Sequence, residues 1–165
     1  MPFGKIEGAL GACSKHLNSL DRSDPDVVEI ESYIVAGMVI LIVSEYEVEI
    51  ERMFSDRADR CGDGHVAQFV RRTIARTFRS PDLGKLIDTL TRFGDDYKST
   101  FVDAIINTEF HAAWDNVMKA RHAVVHKNGN LNITFDELLA TYPRTKAVLE
   151  KLGECLGYVR PATIP

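Results

Sequence analysis

The stretch PDVVEIESYIVAGMVILIVSEYEVEIERMF, residues 25–54, decides the fold class of this chain. After Pro25 it contains no proline, and Gly37 is its only glycine. Its apolar positions keep a helical spacing through Ile42, Tyr46 and Ile50, so the pattern predicts one long helix from Pro25 to Phe54. A buried strand is the alternative for residues 33–43, which are rich in valine and isoleucine, but the uninterrupted length favours a helix. A helix that is apolar on all sides is expected at the centre of a fold.

Shorter helical patterns surround this central helix. One begins near Phe3, and four more are expected at about 65–79, 82–93, 96–106 and 108–127, with a polar loop at 55–64. Thr134 and Glu137 are spaced as a capping box that starts the last helix, where Pro143 is a potential kink. No alternating strand pattern is visible. The predicted fold class is therefore all-α, a bundle of six to seven helices in a single domain over residues 1–165.

Composition and charge narrow the functional classes. The 165 residues are 45% hydrophobic and 27% charged, as in an ordinary soluble protein, and the net charge of −4 excludes a global basic field for nucleic acid. The apolar run at 33–43 is shorter than the roughly 20 residues that span a bilayer. Three cysteines without metal-type spacing indicate free thiols in a reducing compartment, so we expect a cytoplasmic protein without membrane contact.

The sixth predicted helix, TEFHAAWDNVMKARHAVVHKNG at 108–129, carries the most chemical information. On a helical wheel, Arg121 falls in the middle of its apolar stripe, whereas His122 and His126 lie on a neighbouring polar stripe. A buried cation needs an acidic partner, water or another subunit, and Glu45 and Glu47 of the central helix are candidate partners. The alternative is that Arg121 lays its aliphatic stem on the core and extends its charge to water.

Arg121 and His126 also form an Arg-x4-His pattern. The spacing occurs a second time, from Arg60 to His65, and we interpret that match as accidental because it falls in a glycine-rich loop. In the run RHAVVHKNG, a polar residue follows the arginine and a helix exit follows the histidine. This run, on the penultimate helix of an all-helical chain, resembles the HEPN superfamily of ribonucleases, in the branch associated with RNA-ligase and phosphatase-like partners.

The resemblance implies a metal-independent endoribonuclease without cofactors, whose catalytic residues are Arg121, His122 and His126. It also implies a homodimer that brings two Arg–His pairs into one cleft, and a role as a toxin or anti-phage effector with an antitoxin or other partner protein. Histidine can move protons near neutral pH, and arginine suits the charge of a phosphate transition state. The alternative is a non-catalytic helical module that binds a partner protein, a nucleotide or RNA.

Three other features have competing interpretations. His122 and His126 stand one turn apart, with His111 and Asp115 on the same stripe, so a metal site is the rival to nuclease chemistry. The arginines of the third helix form either an RNA track or a solvated face. The aromatic residues are expected in the core rather than as platforms for bases: Trp114, Phe110, Phe69 and Phe78.

Overall fold

The computed structural model describes residues 3–78, 80–126 and 131–159, and this part of the chain is helical without a strand. Its seven helices are α1 (Gly4–Leu17), α2 (Pro25–Asp59), α3 (Gly64–Thr77), α4 (Leu83–Phe93), α5 (Asp95–Ile105), α6 (Glu109–His126) and α7 (Phe135–Leu156). The all-α prediction is confirmed. The predicted ends at Arg79 and Lys127, and the helix exit at Asn128–Gly129, lie outside the described residues.

The long central helix begins as predicted and extends further than predicted. Asp24 caps it by accepting a hydrogen bond from the backbone N–H of Asp26, and Pro25 occupies its first turn. It continues to Asp59, so the loop expected at 55–64 is wrong in its first half. Ala58 is buried on this extra turn, and the chain turns only at Gly62, whose φ of 79° favours glycine.

One side of α2 is buried and another is open, which corrects the expectation of a helix buried on all sides. Ile42, Tyr46 and Ile50 have no solvent exposure. A second set lies within about 80° around the helix and is exposed or lacks a side chain. We call this set the open stripe: Ile30, Tyr33, Gly37, Ile40 and Val48.

By length and composition alone, α2 is also long and apolar enough to cross a membrane. Its most apolar window has a mean hydropathy of 2.0, and 33% of that window is buried. Core helices of soluble proteins meet the same test.

The last helix ties the N-terminal third of the chain to the rest of the bundle. The backbone N–H of Phe135 donates to Glu31, the hydroxyls of Tyr46 and Thr145 share a buried hydrogen bond of 2.8 Å, and Lys146 pairs with Glu7 at 3.0 Å. Thr134 and Glu137 form the predicted capping box, and α7 continues on both sides of Pro143. Helix α6, which carries the candidate site, packs against both α2 and α7.

Candidate functional site

Arg121 lies near the end of α6 and faces α2. Its Nη2 atom is 3.8 Å from Oε1 of Glu47, and the two side chains are 23% and 26% exposed. Glu45, the other candidate partner, instead pairs with Lys5 at 2.9 Å. The sequence prediction of an acidic partner on the central helix is therefore met by Glu47, which lies about a half-turn further along α2 than Glu45.

Glu47 is half-buried beside this guanidinium. Burial raises the pKa of Glu47 above its usual range, and the positive charges of Arg121 and Lys85 oppose that rise. Its Oε1 atom is buried and accepts no hydrogen bond from the described residues. At 3.8 Å, the contact of Oε1 with Arg121 is Coulombic rather than a hydrogen bond. The carboxylate therefore holds Arg121 by charge.

Two histidines stand together on the outer side of the same helix end. The ring centroids of His122 and His126 are 4.2 Å apart, the rings are tilted by 48°, and both residues are exposed. Their four-residue spacing places one ring a single turn after the other. Both imidazoles are thus open to an incoming substrate and close enough to act on the same group.

The third polar pair of α6 lies nearer its start. Nε2 of His111 is 3.6 Å from an oxygen of Asp115. Among the residues that the structure describes, no group of three or more histidines, cysteines or carboxylates is arranged to hold a metal ion. His122 and His126 therefore have no third protein ligand arranged with them within the described ranges.

Arg121 and His126 point in different directions from the helix axis. Five residues correspond to about 500°, so the two side chains leave the axis about 140° apart. The structure therefore brings His126 together with His122, and Arg121 together with Glu47, but the two pairs occupy different faces of α6.

The second Arg-x4-His match has a structural role for its arginine. Arg60 caps the end of α2, donates to the backbone oxygens of Leu156 and Gly157 at 2.9 Å each, and pairs with Asp56. His65 lies in the first turn of α3 and is exposed. Arg60 thus joins the ends of α2 and α7, and the loop between Arg60 and His65 is shorter than the sequence suggested.

Helix α3 departs from the predicted pattern at its aromatic residue. Trp114 and Phe78 are buried as predicted and Phe110 is half-buried, but Phe69 is 71% exposed, so its assignment to the core is wrong. On the wheel, Phe69 lies beside Arg72 and Arg76 and shares their exposed side of α3.

The arginines of α3 are only partly available. Arg71 is paired with Asp59, whereas Arg72 and Arg76 are exposed. Arg79, the fourth arginine of the proposed track, lies outside the described residues. Of the three arginines predicted near one face of this helix, Arg72 and Arg76 are therefore the two that lie on the described part of α3.

Comparisons of the chain with protein-family models, curated proteins and solved structures give no match. The likeness of residues 121–129 to HEPN ribonucleases accordingly depends on the motif and on the helical layout, and the activity that it implies is a proposal.

Proposed function

We propose that this protein is a metal-independent endoribonuclease whose active site is completed by two copies of the chain. The observation that carries the proposal is the end of α6: a half-buried arginine held beside a half-buried carboxylate, next to two exposed histidines one turn apart. These are the groups that RNA cleavage through the 2′-hydroxyl requires.

The reaction assigns a role to each group. One imidazole accepts the proton of the 2′-hydroxyl as its oxygen forms a bond to the adjacent phosphorus. A second, protonated imidazole donates a proton to the 5′-oxygen as the bond from phosphorus to that oxygen breaks. His126 is the proton-transfer group, His122 assists it or orients the phosphate, and Arg121 stabilises the charge on the phosphate oxygens. The products are a 2′,3′-cyclic phosphate and a 5′-hydroxyl.

A second copy of the chain would bring an arginine and a histidine to the same phosphate. Because Arg121 and His126 diverge by about 140° on one helix, one copy offers its histidines to a phosphate held by the arginine of the other. Tyr33, Ile40 and Glu47 follow one another at seven-residue intervals, so the open stripe of α2 runs directly up to the Arg121 contact. Val125 on α6 is also 47% exposed. These apolar groups suit a two-fold contact that places the two helix ends side by side.

The cellular role that fits this chemistry is that of a toxin or anti-phage effector restrained by a partner protein. This part of the proposal depends on the resemblance to HEPN ribonucleases. It predicts that expression of the active chain slows growth, and that the His126→Ala variant does not.

The test is RNA cleavage in excess EDTA. Purified protein is incubated with a mixture of structured and single-stranded RNAs, and the product ends are identified by mass spectrometry. We expect 2′,3′-cyclic phosphate ends, and a loss of about 100-fold or more in rate for His126→Ala and for Arg121→Ala. His122→Ala should lose less.

Matched controls come from the second motif match. His65→Ala should retain full activity, because His65 lies on another helix and has no role in the site. Arg60→Ala should retain the cleavage chemistry but unfold earlier, because it removes the two hydrogen bonds to the end of α7. Abolition of cleavage by EDTA would favour the metal alternative, and equal inertness of wild type and His126→Ala would favour a binding module.

A further inference from the structure

A cavity away from α6 lies between the end of α2, helix α3 and helix α4. Its volume is about 430 Å³, within the range of about 300–1,000 Å³ that is typical of small-molecule sites. Most of its lining is apolar or aromatic, and the main contributors are Ala58, Val66, Phe69, Val70, Ile74 and Phe93. The size and the lining suit one small ligand with an apolar body.

The apolar wall on α3 is open to solvent. Phe69 is 71% exposed and Val66 is 48% exposed, and both line the cavity. Within the described residues, α3 packs substantially against α2 alone and has no comparable contact with α4. The cavity therefore opens between α3 and α4, and burial of Phe69 and Val66 by a ligand would remove apolar surface from water.

The charged side chains that line the cavity, among the described residues, are both positive. Arg57 and Arg92 contribute to the lining, and no carboxylate does so among the described residues. Nε of Arg57 donates to the hydroxyl of Tyr97 at 2.7 Å, and its guanidinium carbon lies 5.3 Å from the centre of that ring. Tyr97 is thus a neutral support that orients the cation without cancelling its charge.

Arg92 is the freer of the two cations. It is exposed, and within the described ranges it forms no ion pair or hydrogen bond through its side chain. In a chain of net charge −4, the two charged residues that line this cavity are both arginines, and neither has an acidic partner among the described residues. An anionic group at the mouth of the cavity would be attracted by both arginines and would accept hydrogen bonds from Arg92.

We propose that this cavity binds a small molecule that joins an aromatic or aliphatic body to a single anionic head group. The body lies against Phe69, Val66 and Val70, and the carboxylate, sulfonate or phosphate head lies at Arg92 with Arg57 beside it. This site goes beyond the nuclease proposal, since none of its residues is on α6, and it stands or falls separately.

RNA fits the cavity less well than such a molecule. A polyanion is bound by a row of cations along its backbone, whereas the walls here are apolar and Arg71 is already paired with Asp59. A single head group at the mouth of an apolar cavity matches the two arginines that line it.

The test uses anilinonaphthalene sulfonate, a fluorescent probe with an apolar body and one anionic head. Its neutral relative N-phenylnaphthylamine reports the apolar contribution alone. We expect saturable binding of the sulfonate at one site, tighter than binding of the neutral probe, and displacement by decanoate more readily than by decanol. Arg92→Gln should weaken binding of the sulfonate about fivefold, the scale of one exposed charge-assisted hydrogen bond, and leave the neutral probe unaffected.

Matched variants separate this site from other apolar surfaces. Phe69→Ser should weaken both probes, Arg92→Lys should retain most of the affinity, and Tyr33→Ser on the open stripe should leave it unchanged. Cys61 is exposed and lines the cavity, so saturating probe should slow its alkylation relative to Cys13. Circular dichroism melts confirm that each variant is folded.

Three outcomes would overturn the proposal. The two probes could bind with equal affinity, or binding could respond to Tyr33→Ser instead of Phe69→Ser. The third is displacement of the probe by single-stranded RNA but not by decanoate.

Discussion

Glu47 is the residue at which burial and charge oppose each other most directly. Burial has the larger effect and raises the pKa of its carboxyl, so the folded chain holds a proton there more readily than the unfolded chain does. The free energy of unfolding therefore falls as pH rises through the interval between the unfolded pKa and the raised folded pKa. Above the folded pKa, the full cost of an ionised, buried Glu47 remains.

We accordingly expect Glu47→Gln to be more stable than wild type at neutral pH, because the variant removes a half-buried charge whose ionisation burial opposes. The advantage should disappear at pH values below the usual range of a glutamate, where the carboxyl is protonated in both states. Urea denaturation across pH measures the difference. Glu45→Gln is the control, since it removes only a surface pair with Lys5. A Glu47→Gln variant that is less stable than wild type at neutral pH would show that attraction to Arg121 outweighs burial.

At the scale of single residues, the sequence predicted a side chain's partner where the charge of that side chain does not suit its apolar neighbours. Arg121 conflicted with its apolar stripe, and that conflict led to a glutamate of the central helix. Phe69 gave no such conflict, because an aromatic residue fits an amphipathic helix whether its side is buried or open. The distinction depends on how closely α3 approaches α4, which local sequence does not encode.

At the scale of elements, the capping box of α7 offers a clean measurement. Thr134 accepts a hydrogen bond from the backbone N–H of Glu137, and the Glu137 carboxylate accepts one from the backbone N–H of Thr134. Thr134→Ala removes half of this arrangement and should lower the free energy of unfolding by about 1 kcal/mol. Thr91→Ala is the matched control: its hydroxyl donates to the Ile87 carbonyl inside α4 and caps nothing, so little change is expected. Equal losses in the two variants would contradict a capping role.

The starts of α2 and α7 were predicted accurately, whereas the end of α2 was not. Asp24, Pro25 and Thr134 are side-chain signals with a direct mechanism, and the structure confirms each start. The end of α2 was placed too early because four of the five residues 55–59 are polar. Their polarity only shows that much of this turn faces water, while Ala58 is buried and the helix continues.

At the scale of the whole molecule, the open stripe leads to a prediction about assembly. Tyr33 and Ile40 are exposed and aligned with Glu47, so a second copy would cover them. We expect wild type to sediment as a dimer at tens of micromolar, on the order of weak-dimer affinities, and Tyr33→Glu or Ile40→Glu to sediment as a monomer. Placing a charge in an apolar interface costs several kcal/mol.

The control for assembly is Val28→Glu. Val28 is 58% exposed on the same helix but about 160° away from Ile30, so its variant should remain dimeric. Monomeric wild-type protein, or equal dissociation of all three variants, would remove the support for a composite active site. The sequence could predict neither that the open stripe is exposed nor what it contacts. An apolar residue that a second copy of the chain covers is of the same type as one that its own chain covers.

The contacts of α7 with the first third of the chain also set the order of events during synthesis. The hydroxyls that join Tyr46 to Thr145 are 99 positions apart, and Lys146 is 139 positions from Glu7. A nascent chain that ends before Thr134 already contains α2 and α6, but it lacks α7, which covers their apolar sides in the folded protein. Closing so large a loop costs conformational entropy before any contact is gained, so the bundle is completed late. Until then, the uncovered apolar surfaces make the ribosome-bound chain prone to aggregation.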